Sequence, residues 1–159
     1  MTNKINITLD INSHQYDVRV EARQTLVDVI RQDCELTGTH IGCEQGVCGS
    51  CTVVIDGAAV RSCLMFAVQA EGKKIRTIEG MAGENELHPI QRAFTENHAL
   101  QCGFCTPGFI MLIEAYLEQI PTPTDEEIID VLSSNLCRCT GYQNIIKALK
   151  QIVRDKTGS

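Results

Sequence analysis

Residues 42–53 read Gly-Cys-Glu-Gln-Gly-Val-Cys-Gly-Ser-Cys-Thr-Val, with four residues between Cys43 and Cys48 and two between Cys48 and Cys51. A fourth cysteine, Cys63, follows after eleven more residues. This spacing, with a distant fourth thiolate, is the ligand pattern of plant-type [2Fe–2S] sites. The interspersed glycines let the loop take backbone angles that other residues avoid and aim N–H groups at sulfur. The stretch therefore predicts a [2Fe–2S] site on Cys43, Cys48, Cys51 and Cys63.

A second group of four cysteines lies in the C-terminal half, where Cys102 and Cys105 are separated by two residues and Cys137 and Cys139 by one. Each pair precedes a predicted helix, so two helix N-termini are expected to face one anionic site. Ligands at i and i+2 face the same way in an extended turn but not in a regular helix, which suits the second pair. Arg138, between them, would offset negative charge. We predict a second [2Fe–2S] site on these four residues.

Zinc is the metal that the cysteine spacing leaves open as an alternative. Tetrahedral zinc is commonly held by pairs of cysteines two residues apart. Only Cys48 with Cys51 and Cys102 with Cys105 form such pairs, and the other intervals fit zinc poorly. The iron and acid-labile sulfide content of the protein separates the two metals.

Two further side chains lie close to the first cysteine group in the sequence. Cys34, the ninth cysteine, is expected to be a small buried apolar residue and not a ligand. His40 lies just before the first loop, but a Rieske-type site needs two histidines on one iron, and four thiolates are already available. Neither residue is therefore predicted to bind a metal.

The composition excludes several classes of protein. The 159 residues carry 20 acidic and 14 basic side chains, a net charge of −6, which argues against binding to nucleic acids or anionic membranes. No apolar run approaches the roughly 18 residues of a membrane span, and the N-terminus lacks the apolar stretch of a secretion signal. We expect a cytoplasmic protein, in which clustered cysteines bind metals more often than they form disulfides.

Hydrophobic periodicity divides the chain into two parts. Alternating apolar residues predict two N-terminal strands joined by a turn, and a helical spacing follows Thr25. The predicted segments are strands over 5–11 and 16–20, a helix over 25–33, and strands over 52–55, 58–64 and 75–78. Together they predict an α+β sheet domain over residues 1–80, followed by a linker over residues 81–88.

The remaining residues, 89–159, are predicted to form four short helices. Pro89 suits the first position of a helix, and Thr124 with Glu127 forms a helix-capping pair. The predicted helices cover 89–97, 109–118 and 124–133, with a last amphipathic helix that includes Ile145, Ile146, Leu149, Ile152 and Val153. This half therefore predicts a helical [2Fe–2S]-binding domain.

Three runs of residues together form a longer pattern: residues 42–53, Gln101-Cys-Gly-Phe-Cys-Thr-Pro-Gly108 and Asn135-Leu-Cys-Arg-Cys-Thr-Gly-Tyr142. They resemble the small iron–sulfur subunit of the molybdenum hydroxylases, the family of xanthine dehydrogenase, aldehyde oxidoreductases and aerobic carbon monoxide dehydrogenase. The resemblance covers nearly the whole chain and is greatest to small subunits of the carbon monoxide dehydrogenase type. However, the loop Glu44-Gln-Gly-Val47 departs from that of true carbon monoxide oxidisers, so the resemblance assigns no substrate.

The resemblance implies a fold and an environment for both clusters. The fold would be an N-terminal β-grasp, plant-type ferredoxin domain followed by a C-terminal four-helix bundle. The helical-domain cluster would lie nearest the molybdopterin of a large subunit, expected in its cytosine dinucleotide form, with Gln101 and Cys139 approaching the pterin. The ferredoxin-type cluster would lie nearer the surface.

The resemblance also implies a function and partners. Single electrons would pass from the molybdopterin centre through the two clusters to FAD on a medium subunit, or to another acceptor. The complex would be a heterotrimer or a dimer of heterotrimers, with no substrate chemistry on this chain. The alternative is a free-standing two-cluster electron carrier of the ferredoxin type.

Overall fold

The computed structural model describes residues 4–83 and 85–157, and its described part contains one five-stranded mixed sheet in the order β2-β1-β5-β3-β4. The strands are β1 (Lys4–Ile11), β2 (His14–Glu21), β3 (Thr52–Ile55), β4 (Ala58–Arg61) and β5 (Lys74–Arg76). Strands β1 and β5 are parallel, whereas the other neighbouring strands are antiparallel. The sheet therefore joins the N-terminal hairpin to the hairpin that follows the first cysteine loop.

The described helices fall on both sides of the predicted linker. They are α1 (Leu26–Asp28), which continues as a π-helical turn over Val29–Asp33, then α2 (Pro89–Glu96), α3 (Thr106–Gln119), α4 (Asp125–Ser133) and α5 (Gln143–Thr157). Short 3₁₀ turns cover Ser62–Leu64, Ala67–Ala70 and Ile78–Gly80. Between residues 4 and 157, Glu84 apart, the chain contains no helix that could cross a membrane.

Local sequence explains most of the helix starts. The Thr25 hydroxyl accepts a hydrogen bond from Asp28 N, and Thr124 forms a capping box with Glu127. Helix α3 starts at Thr106, three residues before its predicted start, because Pro107 is well suited to a first helical turn. Strand β5 is shorter than predicted, since residues 78–80 form a 3₁₀ turn.

Two hydrophobic cores meet at strand β3. Val53 and Ile55 belong to the core between the sheet and α1, whereas Val54 belongs to the core formed mainly by helices α2 to α5. Successive side chains of a strand point to opposite faces, so β3 is covered on both faces. Helix α3 packs against β3 and β4. The predicted division into residues 1–80, 81–88 and 89–159 stays a prediction, and Glu84 of the predicted linker lies outside the described residues.

Candidate metal centres

The first cysteine loop directs main-chain N–H groups at sulfur. The Cys43 sulfur accepts hydrogen bonds from Gln45 N and Cys48 N, each at 3.4 Å. Those donors lower the pKa of the Cys43 thiol to about 6, so it readily becomes a thiolate. Gly46 takes the left-handed backbone conformation inside this loop, with φ of +81°. The loop thus provides a preformed environment for negatively charged sulfur.

The β3–β4 hairpin brings Cys51 and Cys63 together. Cys51 directly precedes β3, and its carbonyl accepts hydrogen bonds from Ser62 N at 3.3 Å and Ser62 Oγ at 2.6 Å. The predicted strand over 58–64 is wrong at its end, because β4 stops at Arg61 and Cys63 lies in a 3₁₀ turn. Burial raises the pKa of the Cys63 thiol to about 11, and a hydrogen bond from Gly46 N opposes that rise.

The second cysteine group also converges, although its members come from two separate loops. The sulfurs of Cys102 and Cys139 lie 3.6 Å apart, and the thiols of Cys105 and Cys137 hydrogen-bond to each other. Burial raises the pKa of Cys105 to about 12. Burial would also raise the pKa of Cys137, but hydrogen bonds that include Thr140 Oγ1 at 3.1 Å lower it below its ordinary value. Both predicted quartets of cysteines are therefore brought together.

In both quartets the cysteine sulfurs lie close together in pairs, and this arrangement helps to decide between zinc and a [2Fe–2S] cluster. Among residues 4–83 and 85–157, no group of three or more His, Cys, Asp and Glu side chains is arranged to hold one metal ion. Tetrahedral zinc needs four ligands around a single ion, whereas a [2Fe–2S] cluster divides four thiolates between two irons. The close pairs are Cys43 with Cys48, Cys51 with Cys63, Cys102 with Cys139, and Cys105 with Cys137. Paired thiols with N–H donors fit the iron–sulfur group better.

Tyr142 closes the second cysteine loop. Its hydroxyl accepts a hydrogen bond from Cys137 N at 3.0 Å and donates one to Asn135 O at 3.2 Å. Its ring packs edge-on against Phe109, with the ring centres 6.3 Å apart. Sequence reasoning included Tyr142 only as the last residue of a motif and missed this role.

Replacing Tyr142 with phenylalanine is expected to lower the free energy of unfolding by about 1–2 kcal/mol, because Cys137 N and Asn135 O both lose a partner. The ring contact with Phe109 is kept. Urea unfolding of the metal-loaded protein, followed by circular dichroism, measures the change. Tyr116→Phe is the matched control, since within the described residues the Tyr116 hydroxyl makes no hydrogen bond. An effect no larger than that of the control would contradict the prediction.

A seam of hydrogen bonds joins the two cysteine loops, and sequence reasoning missed it. Leu136 N donates to Cys48 O at 2.9 Å, which connects a residue of the first quartet to the neighbour of Cys137. The buried Asn135 side chain donates to Gly49 O at 3.3 Å. A single main-chain hydrogen bond therefore joins the backbone of the first cysteine loop directly to that of the second.

Aromatic stacking supports the same seam. The His40 ring stacks on Phe104, with centres 4.8 Å apart and planes at 15°, and His40 Nδ1 hydrogen-bonds to Phe104 O at 2.7 Å. Phe104 lies between Cys102 and Cys105, so His40 contacts the second cysteine group from the first half of the chain. This histidine is consequently a contact between the two halves of the chain.

The remaining predicted residues differ in exposure. Gln101, Cys102 and Cys139 are exposed, whereas Cys51 and Cys63 are buried and Cys43 and Cys48 are intermediate. Cys34 is buried in the sheet core as predicted, and burial raises its pKa to about 11. Exposed apolar side chains flank both quartets: Val47 and Leu64 beside the first, and Leu100, Phe104 and Leu136 beside the second.

Comparison with known proteins identifies the family. A family profile described as "2Fe-2S iron-sulfur cluster binding domain" matches residues 9–93, and one described as "[2Fe-2S] binding domain" matches residues 77–150. The chain is 52% identical over 148 residues to the "Nicotine 6-hydroxylase small subunit" of Paenarthrobacter nicotinovorans, covering 93% of this chain and 89% of that protein. The chain belongs to the small iron–sulfur subunits of the molybdenum hydroxylases.

Two further relatives agree with this membership of the family. The "Caffeine dehydrogenase subunit gamma" of Pseudomonas sp. (strain CBB1) is 51% identical over 149 residues, covering 92% of this chain and 89% of that protein. The crystal structure of quinoline 2-oxidoreductase from Pseudomonas putida 86 matches with a TM-score of 0.92 and 47% identity, covering 98% of this chain and 96% of that one. The predicted resemblance and the expectation of [2Fe–2S] cofactors are thereby confirmed.

Proposed function

We propose that this chain transfers single electrons within a molybdenum hydroxylase complex and carries out no substrate chemistry itself. The [2Fe–2S] clusters, when bound, supply one-electron redox chemistry. The observation that carries the proposal is the hydrogen bond from Leu136 N to Cys48 O, 2.9 Å long, between the two cysteine loops. A short link of this kind between two quartets suits a relay, whereas a zinc-stabilised interaction module would have no need of it.

We propose that the first cluster is held by Cys43, Cys48, Cys51 and Cys63. The support is that their thiols meet in two pairs and that Gln45, Gly46 and Cys48 direct N–H groups at them. Such donors stabilise the additional negative charge that reduction brings, which raises a reduction potential. The chain itself thereby sets the affinity of this site for an electron.

The second cluster is proposed to bind Cys102, Cys105, Cys137 and Cys139. Two of these sulfurs, on Cys102 and Cys139, are exposed, and Gln101 is exposed beside them. Thr140 donates to the Cys137 sulfur from its hydroxyl and its main-chain N–H. The exposed sulfurs make the second site the better candidate for receiving electrons from another subunit. The buried pair of sulfurs, on Cys51 and Cys63, belongs to the first site.

We also propose a more detailed description of the fold, based on how the strands and helices pack. Residues 1–80 would form a β-grasp ferredoxin domain, supported by the mixed sheet with α1 packed on one face. Residues 89–159 would form a four-helix bundle, supported by the contacts of α2 with α3 and α5 and of α4 with α3 and α5. Residues 81–88 would link them.

The partners are proposed from the exposed apolar side chains beside each cysteine quartet. Gln101 and Cys139, flanked by Leu100 and Leu136, would meet a large subunit that carries molybdopterin, in its cytosine dinucleotide form. The apolar side chains beside the first quartet would meet a medium subunit with FAD, or another acceptor. The names "small subunit" and "subunit gamma" of the relatives support an assembly of several chains. We propose a cytoplasmic heterotrimer, or a dimer of heterotrimers.

Metal analysis of the purified protein tests this function. We expect about four irons and four acid-labile sulfides per chain, because each [2Fe–2S] cluster has two of each. Electron paramagnetic resonance (EPR) of the reduced protein should resolve two distinct [2Fe–2S] signals. Zinc without sulfide would contradict the proposal.

Co-purification separates the relay within a complex from a free-standing carrier. Under mild conditions the tagged chain should bring down a molybdenum-containing chain. A monomeric chain that holds both clusters, and that accounts for the full electron-transfer activity without any other subunit, would instead establish the free-standing carrier.

A further inference from the structure

Arg61, the last residue of β4, hydrogen-bonds to three separate segments. Its Nε donates to Gly46 O at 3.4 Å, and its Nη2 donates to Ser134 O at 2.8 Å. Its Nη1 donates to the hydroxyl of Thr52. Gly46 and Thr52 belong to the first half of the chain and Ser134 to the second, so the guanidinium bridges the seam.

Each acceptor lies within three residues of a proposed cluster ligand. Gly46 is inside the first cysteine loop, and its own N–H donates to the sulfur of Cys63. Thr52 directly follows Cys51, and its hydroxyl donates in turn to Gly49 O at 2.6 Å. Ser134 is at the end of α4 and leads into the segment that carries Cys137. One side chain thus restrains both cysteine loops at once.

The shape of the side chain matters as well as its charge. A guanidinium is planar and rigid and directs donors from three nitrogens, whereas a lysine ammonium is a compact point donor on a flexible stem. Arg61 uses a different nitrogen for each of its three acceptors. Lysine at this position would keep the positive charge but would not reach all three acceptors together.

We propose that Arg61 is a positioning residue for electron transfer. By binding the Gly46 carbonyl it restrains the backbone of Gly46, whose N–H, in the preceding peptide group, faces the Cys63 sulfur, and it ties the first loop to the segment before Cys137. The inference rests on the proposed function, since it concerns the reduction potential of the first cluster. Hydrogen bonds to ligand sulfur raise a cluster's potential, so a Gly46 backbone that is free to turn its N–H away from the sulfur lowers it.

The test is a redox titration of the metal-loaded protein, followed by EPR, for Arg61→Gln and Arg61→Lys. For Arg61→Gln we expect the equilibrium constant for reduction of the first cluster to fall about tenfold, about 59 mV for a one-electron couple. The constant for the second cluster should change less than about threefold. Arg61→Lys is expected to resemble Arg61→Gln, because the shape of the donor is lost in both.

Arg19→Gln is the matched control, because it removes the same charge from β2, at the opposite edge of the sheet from β4. The control should leave both potentials unchanged. Wild-type potentials in Arg61→Gln would overturn the proposal, and a wild-type potential in Arg61→Lys would assign the effect to charge alone and overturn the positioning role.

Iron content keeps the outcomes distinct. If Arg61→Gln loses the first cluster alone, falling to about two irons per chain, the loop has lost its restraint and the proposal is supported. If Arg61→Gln loses both clusters, Arg61→Lys decides the question. Loss of the first cluster alone, or a lowered potential of that cluster, supports the proposal, and a wild-type potential overturns it. Absence of iron and sulfide from the unsubstituted protein would instead refute the proposed function.

Discussion

Replacing Cys137 with serine is expected to remove one of the two [2Fe–2S] signals and to leave the other intact. The iron content should fall from about four to about two per chain, because each cluster has two irons and the first quartet lies in a different loop. Cys137 is the thiol of the second quartet whose pKa is lowered by hydrogen bonds, from Thr140 and from Cys139 N. A serine hydroxyl remains protonated under the same conditions and is a poor ligand for iron.

The same substitution is expected to destabilise the segment around the second quartet. Residues 134–142 contain no helix or strand, and hydrogen bonds of the Tyr142 hydroxyl and of the seam help to hold them in place. Where a metal group ties such a segment together, its binding free energy adds to the free energy of folding. We therefore expect faster hydrogen exchange over residues 134–142 in Cys137→Ser than in the loaded wild type.

Cys34→Ala is the matched control for this experiment. It also removes a thiol, but from the sheet core, where Cys34 is only 7% exposed and packs among apolar side chains. This variant should keep about four irons and both signals. If Cys137→Ser also kept four irons and two signals, the assignment of ligands to the second cluster would be wrong.

The two cysteine quartets were predictable from sequence because ligand spacing is a local property. Three of the four proposed ligands of the first cluster lie within residues 43–51, and each half of the second quartet occupies four residues or fewer. The alternation along β1 and β2 was equally readable, since one face of that hairpin is buried and the other exposed. Local patterns thus predicted most of the helices and strands and the two groups of cysteines that approach one another.

The arrangement of the quartets relative to each other was not readable. It depends on single hydrogen bonds between residues far apart in sequence, such as Leu136 N to Cys48 O. The sequence placed Arg61 in a predicted strand and His40 just before the first cysteine loop, but nothing in it indicated that either side chain reaches the second half of the chain. Residues 52–55 were predicted only as a strand, whereas all four are buried in the structure because β3 is covered on both faces.

Gly108→Ala is expected to lower the free energy of unfolding by about 3 kcal/mol, because it places a methyl group inside the seam. Gly108 lies in the first turn of α3, and a Cβ atom there would lie 2.2 Å from Gly49 O and 3.0 Å from Ser50 Cα. Both contacts are main-chain atoms, which cannot rotate away as a side chain does. Either α3 or the first cysteine loop must therefore move.

The direction of this effect separates packing from helix propensity. Alanine is intrinsically better than glycine inside a helix by about 1 kcal/mol, which on its own would stabilise α3. The steric conflict acts in the opposite direction and is the larger of the two. Urea unfolding of the loaded protein measures the sum, and Gly83→Ala is the matched control, since the nearest atom to a Cβ there, Glu86 O, is 3.8 Å away. A stability equal to or above that of the wild type would contradict the close approach.

The substitution should also affect the proposed relay, although it removes none of the eight proposed ligands. A shift of α3 moves Cys105, which directly precedes the helix, away from the first loop, and strains the hydrogen bond between Leu136 N and Cys48 O. We therefore expect Gly108→Ala to keep about four irons per chain but to show a weaker magnetic interaction between its two reduced clusters in low-temperature EPR. Gly83→Ala should retain the wild-type interaction. An unchanged interaction in Gly108→Ala would mean that the distance between the clusters does not depend on this contact.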